Sequence, residues 1–191
     1  PVEVAVASFV WGAYLGDEGL INGVNITISP WKRLSLDAFP SSAKASGQYL
    51  NSMLAVKDAR NRGYDEALLL NQQGFIAEGS GQNIFIVKDE IIYTNGENAS
   101  ILMGITRDSV IHLCKDLNYS VEITDLTENM LMTADEAFFT GSATEITPIA
   151  TVNDTPINTG KPGIITLELK NLYSDIVHGK EMRYKNWLTF I

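Results

Sequence analysis

EGSGQNIFIVKDEIIYTNGENASILMGITR, residues 78–107, sets two short apolar runs ahead of a helical pattern. Asn83-Ile84-Phe85-Ile86-Val87 and Ile91-Ile92-Tyr93 are short apolar runs of β-branched and aromatic residues. The polar Lys88-Asp89-Glu90 separates them, which predicts an antiparallel hairpin. Beyond it the periodicity changes. Over residues 106–117, Val110, Ile111, Cys114 and Leu117 fall on one helical face. Thr106 or Ile105 stands near the amino end, and Asp108 in the first turn complements the helix dipole. Strands followed by a helix, joined through glycine-bearing turns, indicate an α+β layer.

Upstream, residues 66–70 give another strand candidate, and residues 46–62 carry Tyr49, Leu50, Met53, Leu54 and Val56 at nearly helical spacing, with Gly63 as the stop. That helix begins just after Lys44. The first forty residues alternate in short runs broken by glycines and prolines, and read as strands and loops. Val2, Val4, Val6, Phe9 and Trp11 look like the middle of a buried strand, so the chain is expected to continue upstream of Pro1. Downstream, a short helix is expected over 124–133 and a strand over 136–140. A long helix over 162–178 should open with Pro162, stop at Gly179 and pack on the sheet. No repeat, linker or charge block divides the chain. The expectation is one α+β domain whose strands form, most simply, an antiparallel meander.

Composition excludes several classes. The 191 residues are 45% hydrophobic, enough for a core of their own. Lys plus Arg number 14 against 23 Asp plus Glu, a formal charge of -9 with no basic run to offset it, so nucleic acid is not an expected partner. No apolar stretch reaches the roughly 20 residues of a membrane helix, and no secretory signal opens the chain. The single cysteine, Cys114, excludes an internal disulfide and a cysteine-based zinc site; no metal is expected. Asn-x-Ser/Thr triplets begin at Asn25, Asn98, Asn118 and Asn153, and without a signal they read as chance. The expected setting is the cytoplasm.

Four polar constellations remain: residues 40–49 around Lys44, residues 78–83, residues 102–107, and Thr140-Gly141-Ser142-Ala143-Thr144-Glu145. Singly, each has a plain structural reading. A lysine among small residues is usually solvated, Glu78 before two glycines suits a turn, and Gly104 before Thr106 suits a helix start. Ile84 stands where a dinucleotide fingerprint needs its third glycine, and no Gly-Lys-Ser/Thr occurs. His112 and His178 read as structural.

Together they form a pattern. Glu78-x-Ser80-x-x-Asn83-Ile84-Phe85, six residues, Ile92-Tyr93-Thr94, seven residues, and Leu102-x-Gly104-Ile105-x-Arg107 resembles the signature of the class IV aminotransferases. That family includes branched-chain aminotransferases, D-amino acid aminotransferases and aminodeoxychorismate lyases. The resemblance runs from about Phe9 to the end of the chain. Phe9-Val10-Trp11-Gly12-Ala13-Tyr14-Leu15-Gly16 looks like the Phe-Pro-Trp-Gly-Ala-Tyr-Leu-Gly of the branched-chain enzymes, with Val10 in place of proline. Thr140 to Pro148 is likewise similar to the branched-chain form.

The resemblance implies the large carboxy-terminal domain of that fold, an antiparallel-rich sheet or barrel surrounded by helices. Residues 1–15 would be the end of an interdomain segment and start of the large domain, residues 16–191 the domain binding pyridoxal 5'-phosphate; the family's small amino-terminal domain would lie outside this chain. It implies transamination of leucine, isoleucine and valine with 2-oxoglutarate, in a homodimer or larger assembly. Lys44 matches the lysine that bonds to the cofactor aldehyde and moves the substrate proton. Glu78 matches the carboxylate facing the pyridine nitrogen, and Tyr49 the tyrosine near the ring oxygen. Gly104, Ile105, Thr106 and Ser142 match the phosphate site. Ala143 and Thr144 match donors to the substrate carboxylate, and Trp11 and Tyr14 its pocket walls; Arg107 is read as structural. The alternatives are another activity of the same family, or a cofactor-free binding or dimerisation module.

Overall fold

The computed structural model describes residues 2–10 and 12–190. In chain order they form helix α1 (Gly16–Asn22), strand β1 (Val24–Ile28), a 3-10 turn (Ser46–Gln48) running into helix α2 (Tyr49–Asn61), and strands β2 (Glu66–Leu70), β3 (Ile76–Gly79), β4 (Asn83–Lys88) and β5 (Ile91–Thr94). Then come helix α3 (Ile105–Asp116), strand β6 (Ser120–Ile123), helix α4 (Glu128–Met132), strands β7 (Glu136–Gly141), β8 (Glu145–Val152) and β9 (Thr155–Pro156), and helix α5 (Ile164–Val177). The class is α+β, as the sequence indicates. Among the described residues no helix is long and apolar enough to cross a membrane.

The hairpin expected at Lys88-Asp89-Glu90 is present, and Asp89 and Glu90 turn it with φ of 50° and 64°. A simple meander is not. The strand order is β3-β2-β1-β8-β7-β4-β5-β6, with β9 on β8. Antiparallel pairs predominate, but β1 runs parallel to both β2 and β8, and β5 parallel to β6. Parallel neighbours need a crossover, and α2 and α3 supply it for β1–β2 and β5–β6. Apolar periodicity specifies which face of a strand is buried, not which strand lies beside it.

That order forces curvature. β3 and β4 are first and sixth in the sheet, yet the turn of residues 80–82 joins them, with Gly79 N donating to Gln82 O at 2.8 Å. The sheet must curl until its first and sixth strands meet, which gives it an inside and an outside. Ile84 and Ile86 of β4 point inward to Val24, Ile26, Leu68 and Phe139. Phe85 and Val87 point outward, where Phe138, Val110, Leu113 and Leu169 cover them. Phe85 and Phe138 stack with centroids 5.0 Å apart.

Three local expectations need correction. Val2, Val4 and Val6 form no strand and are 92%, 86% and 96% exposed. Alternation favours an extended conformation, but only a sheet edge to pair with makes it a buried strand, and among the described residues none does so. Trp11 lies outside the described residues. The segment 16–22, read as strand and loop, is helix α1. Pro162 precedes α5 rather than opening it; Gly163 is the capping residue, and Glu136 of β7 accepts from Ile165 N at 3.1 Å and Thr166 N at 2.7 Å. In α2 the buried residues are the small Ser52, Ala55 and Ala59, whereas Leu50 and Met53, which mark the helix in sequence, are exposed.

Candidate functional site

Curling brings the ends of β3, β4 and β7 beside the starts of α2 and α3. A cavity of about 250 Å³ opens there, and Lys44, Tyr49, Glu78, Gly104, Ile105, Thr106 and Ser142 all line it. Segments up to about a hundred residues apart in sequence are thus collected in one place.

Glu78 closes β3 on the cavity floor, 4% exposed. Its Oε1 lies 2.7 Å from Arg33 Nε, and its Oε2 accepts from Leu102 N at 3.2 Å and from Asn83 Nδ2 at 3.4 Å. Burial pushes the carboxyl up to about 7; the Arg33 charge and the Leu102 N–H pull the other way without cancelling it. A carboxyl so placed exchanges a proton near neutrality with a base beside it.

The start of α3, which lines the same cavity, suits an anion. Gly104 caps α3 in extended conformation with no side-chain cap, so the first-turn N–H groups lack intrahelical partners. Helix dipole and free amides both favour negative charge there. Thr106, 3% exposed, adds a hydroxyl that bonds to nothing else among the described residues, and Ser142, in the same lining, adds a second.

Lys44 sits in the loop before α2. Gln48 Nε2 donates to Ala43 O at 2.7 Å and holds that loop closed, while the Lys44 amine makes no hydrogen bond or ion pair among the described residues. Tyr49, the first residue of α2, lines the same side. Ala143 and Thr144 follow Ser142 but do not line the cavity. Tyr14 is set apart, beside Leu15, Arg60, Tyr64 and Asp65. Arg107 is buried and donates to Asn95 O at 2.7 Å, a bracing contact.

Sequence reasoning missed several residues. Arg33, the charge on Glu78, reads in sequence as half of a Lys-Arg pair. Thr140 lines the cavity with a fully buried hydroxyl that has no hydrogen-bond partner among the described residues. Beneath the turn of residues 80–82, Gln82 Nε2 donates to Glu66 Oε2 at 2.9 Å and Gly81 N to Gln82 Oε1 at 3.0 Å. Glu66 is fully buried, and its carboxyl is raised chiefly by that burial. Gln82 and Asn83 lie inside the family-like signature, which names the positions without disclosing their contacts.

The profile of the family described as Amino-transferase class IV matches residues 2–152. A branched-chain-amino-acid aminotransferase of Pseudomonas aeruginosa is 40% identical over 190 residues, covering 100% of this chain and 62% of its own. The solved branched-chain aminotransferase of the archaeon Thermoproteus uzoniensis with norvaline is 42% identical at a TM-score of 0.90, covering 96% of this chain and 59% of that one. The solved branched-chain amino acid aminotransferase of Thermobaculum terrenum in PLP form is 40% identical at a TM-score of 0.84, covering 87% and 54%. This chain spans about 60% of the length of the curated relatives it matches.

Proposed function

This chain belongs to the class IV aminotransferases, and we propose that it is the cofactor-holding part of an enzyme that transfers the amino group of leucine, isoleucine and valine to 2-oxoglutarate. The observation that carries the reading is the convergence of Lys44, Glu78 and the start of α3 on one cavity. An amine, a buried carboxyl and an anion-binding helix start are three distinct chemistries. Pyridoxal 5'-phosphate presents the complement of each: an aldehyde, a ring nitrogen and a phosphate. The donor set fits the group. When bound, that cofactor supplies an electron-poor ring that accepts the electron pair left when an amino acid Cα loses its proton.

The chain's own groups divide the remaining work. Lys44 Nζ would hold the aldehyde and would move the proton at the substrate Cα. Glu78 would hold a proton on the ring nitrogen. The Tyr49 phenol would face the ring oxygen. The amides of Ile105 and Thr106, with the hydroxyls of Thr106 and Ser142, take the phosphate, and Gly104 lets the backbone come close. Ala143 and Thr144, which adjoin Ser142 but do not line the cavity, are assigned to the substrate carboxylate on the resemblance alone. Trp11 is assigned to the substrate pocket wall on the resemblance alone, and Tyr14, set apart from the cavity, is left out.

Relatives named for branched-chain amino acids, at 39% to 44% identity, support the substrate class. Residues 16–191 are read as the large domain and residues 1–15 as the end of an interdomain segment, with the small domain outside this chain. We assign the whole protein to the cytoplasm and to a homodimer or larger assembly. A single, buried cysteine supports the first, and the exposed Leu50, Met53 and Leu54 on the helix beside the cavity support the second.

Titration with pyridoxal phosphate, borohydride reduction and peptide mapping test the reading. The expected result is a reduced adduct on Lys44, absent in Lys44→Ala, and amino transfer from leucine but not D-alanine. An adduct elsewhere, or none, overturns the assignment of the cavity; transfer from D-alanine overturns the substrate class.

A further inference from the structure

One side chain spans the carboxylate end and the anion end of the cavity. Asn83 Nδ2 donates to Leu102 O at 2.7 Å and to Glu78 Oε2 at 3.4 Å, and Leu102 N donates to the same Glu78 oxygen at 3.2 Å. Glu78 ends near the close of β3, Asn83 opens β4, and Leu102 lies just ahead of α3. These bonds close a ring that ties the carboxylate to the segment feeding the helix. The other end of the amide is confined too. A Cβ on Gly104 would lie 2.2 Å from Asn83 Oδ1, so the amide oxygen packs against the backbone that caps α3. Asn83 itself is 5% exposed and held in the ladder opposite Thr140.

We infer that Asn83 is a positioning residue, a strut that fixes the separation between the Glu78 carboxylate and the first turn of α3 so that one rigid ligand engages both at once. The inference rests on the reading of the cavity as a pyridoxal phosphate site. Without the strut, residues 102–104 are ordered at the expense of the ligand that binds them. A ligand that uses both ends bears that cost; one that uses only the Glu78 and Lys44 end does not. The Glu78 end itself survives the loss, because Arg33, outside that segment, makes the shortest contact to it at 2.7 Å.

Pyridoxal lacks the phosphate, and the closing of its 5'-hydroxyl on its aldehyde is the same whichever variant it meets, so the change in each dissociation constant between parent and variant, measured separately by absorption or fluorescence titration, reads the strut directly. In Asn83→Ala the affinity for pyridoxal phosphate is expected to fall about tenfold, the effect of losing one buried hydrogen bond. That for pyridoxal should move by no more than about threefold, so their ratio shrinks. Asn83→Ser, uncharged and too short to span from Leu102 O to Glu78, is expected to do the same and decides the matter if the alanine variant does not fold. Loss of both affinities in proportion, as a merely structural role gives, overturns the inference, as does an unchanged ratio. If the unaltered protein yields no borohydride-stable adduct on Lys44, the reading of the cavity fails and this inference with it. An adduct together with an unchanged ratio sinks only the strut.

Discussion

Arg33 Nε lies 2.7 Å from Glu78 Oε1, and both side chains are 6% exposed. The pair sits under the cavity rather than on a surface, so its charges are not dissipated into water. Arg33 is fixed from several directions: its N donates to Leu70 O at 2.8 Å, its O accepts from Gln72 Nε2 at 3.1 Å, and its guanidinium reaches Ser52 Oγ at 3.4 Å. The carboxyl that faces the cavity is therefore positioned by a side chain that does not itself yield.

Glu78 makes stability depend on pH in a definite direction. Its carboxyl, at about 7 rather than 4.5, holds a proton more tightly in the folded chain than in the unfolded one. Stability from this group is therefore complete below pH 4.5 and is lost as pH rises through 7. Without ligand, the unfolding free energy should fall between about pH 5 and pH 8 by about 1 to 3 kcal/mol more than in Glu78→Gln. Glu66, also raised by burial, acts in the same sense in both proteins and cancels in the comparison. Denaturant melts across that range check it; parallel slopes for the two proteins would mean that Glu78 does not titrate there.

Glu66→Gln is expected to destabilise the fold, although it replaces a buried acid with a neutral residue of the same shape. Both carboxyl oxygens are acceptors: Oε1 takes Ala67 N at 2.7 Å and Oε2 takes Gln82 Nε2 at 2.9 Å. Gln82 is not free to turn over, because its own oxygen accepts from Gly81 N. A glutamine at residue 66 sets an NH2 against another N–H, costing about 1 to 3 kcal/mol. Chemical denaturation measures it, and a variant as stable as the parent refutes the acceptor argument.

How far the sequence discloses this arrangement differs by level. Helices α2, α3 and α5 and the β4–β5 hairpin are legible because each is specified by its own periodicity and turn residues, whereas α1 is not. Strand partners are not: β1 lies between β2 and β8, a choice set by how α2 crosses the sheet and by the return of the chain after β7. The cavity residues stand out only as a spaced pattern, since Lys44 or Glu78 alone resembles an ordinary surface lysine or turn acid. Arg33 carries no local mark at all, because a buried arginine is distinguished from a solvated one by what folds over it.

Gly163→Ala should loosen α5. A Cβ there would lie 1.9 Å from the Glu136 carboxyl carbon, and that carboxylate caps the helix through Ile165 N, Thr166 N and the Thr166 hydroxyl, the last at 2.6 Å. Displacing it costs about 1 to 2 kcal/mol, the scale of a lost helix cap. A lowered melting temperature, with Glu136→Ala giving a similar loss and the double variant little more, is the expected result; additive losses would mean that the two residues act separately.

Thr106 gives the sharpest test of the anion end. It lies in the first turn of α3, where dipole, free amides and hydroxyl favour the same charge, and its hydroxyl makes no hydrogen bond among the described residues. Thr106→Ala should weaken binding of pyridoxal phosphate by about 0.5 to 1.5 kcal/mol, and more if the bond is charge-assisted. Thr106→Ser should retain most of it, because the hydroxyl is kept and only a methyl group is lost. The phosphate sheds its second proton near pH 6, so the penalty of the alanine variant should shrink below that pH. Pyridoxal, which has no phosphate, should bind both variants as it binds the parent. Dissociation constants for the two ligands at pH 5.5 and 7.5 separate these outcomes. A constant for pyridoxal phosphate that does not move in Thr106→Ala would remove Thr106 from the anion end and leave that role to the backbone amides and Ser142.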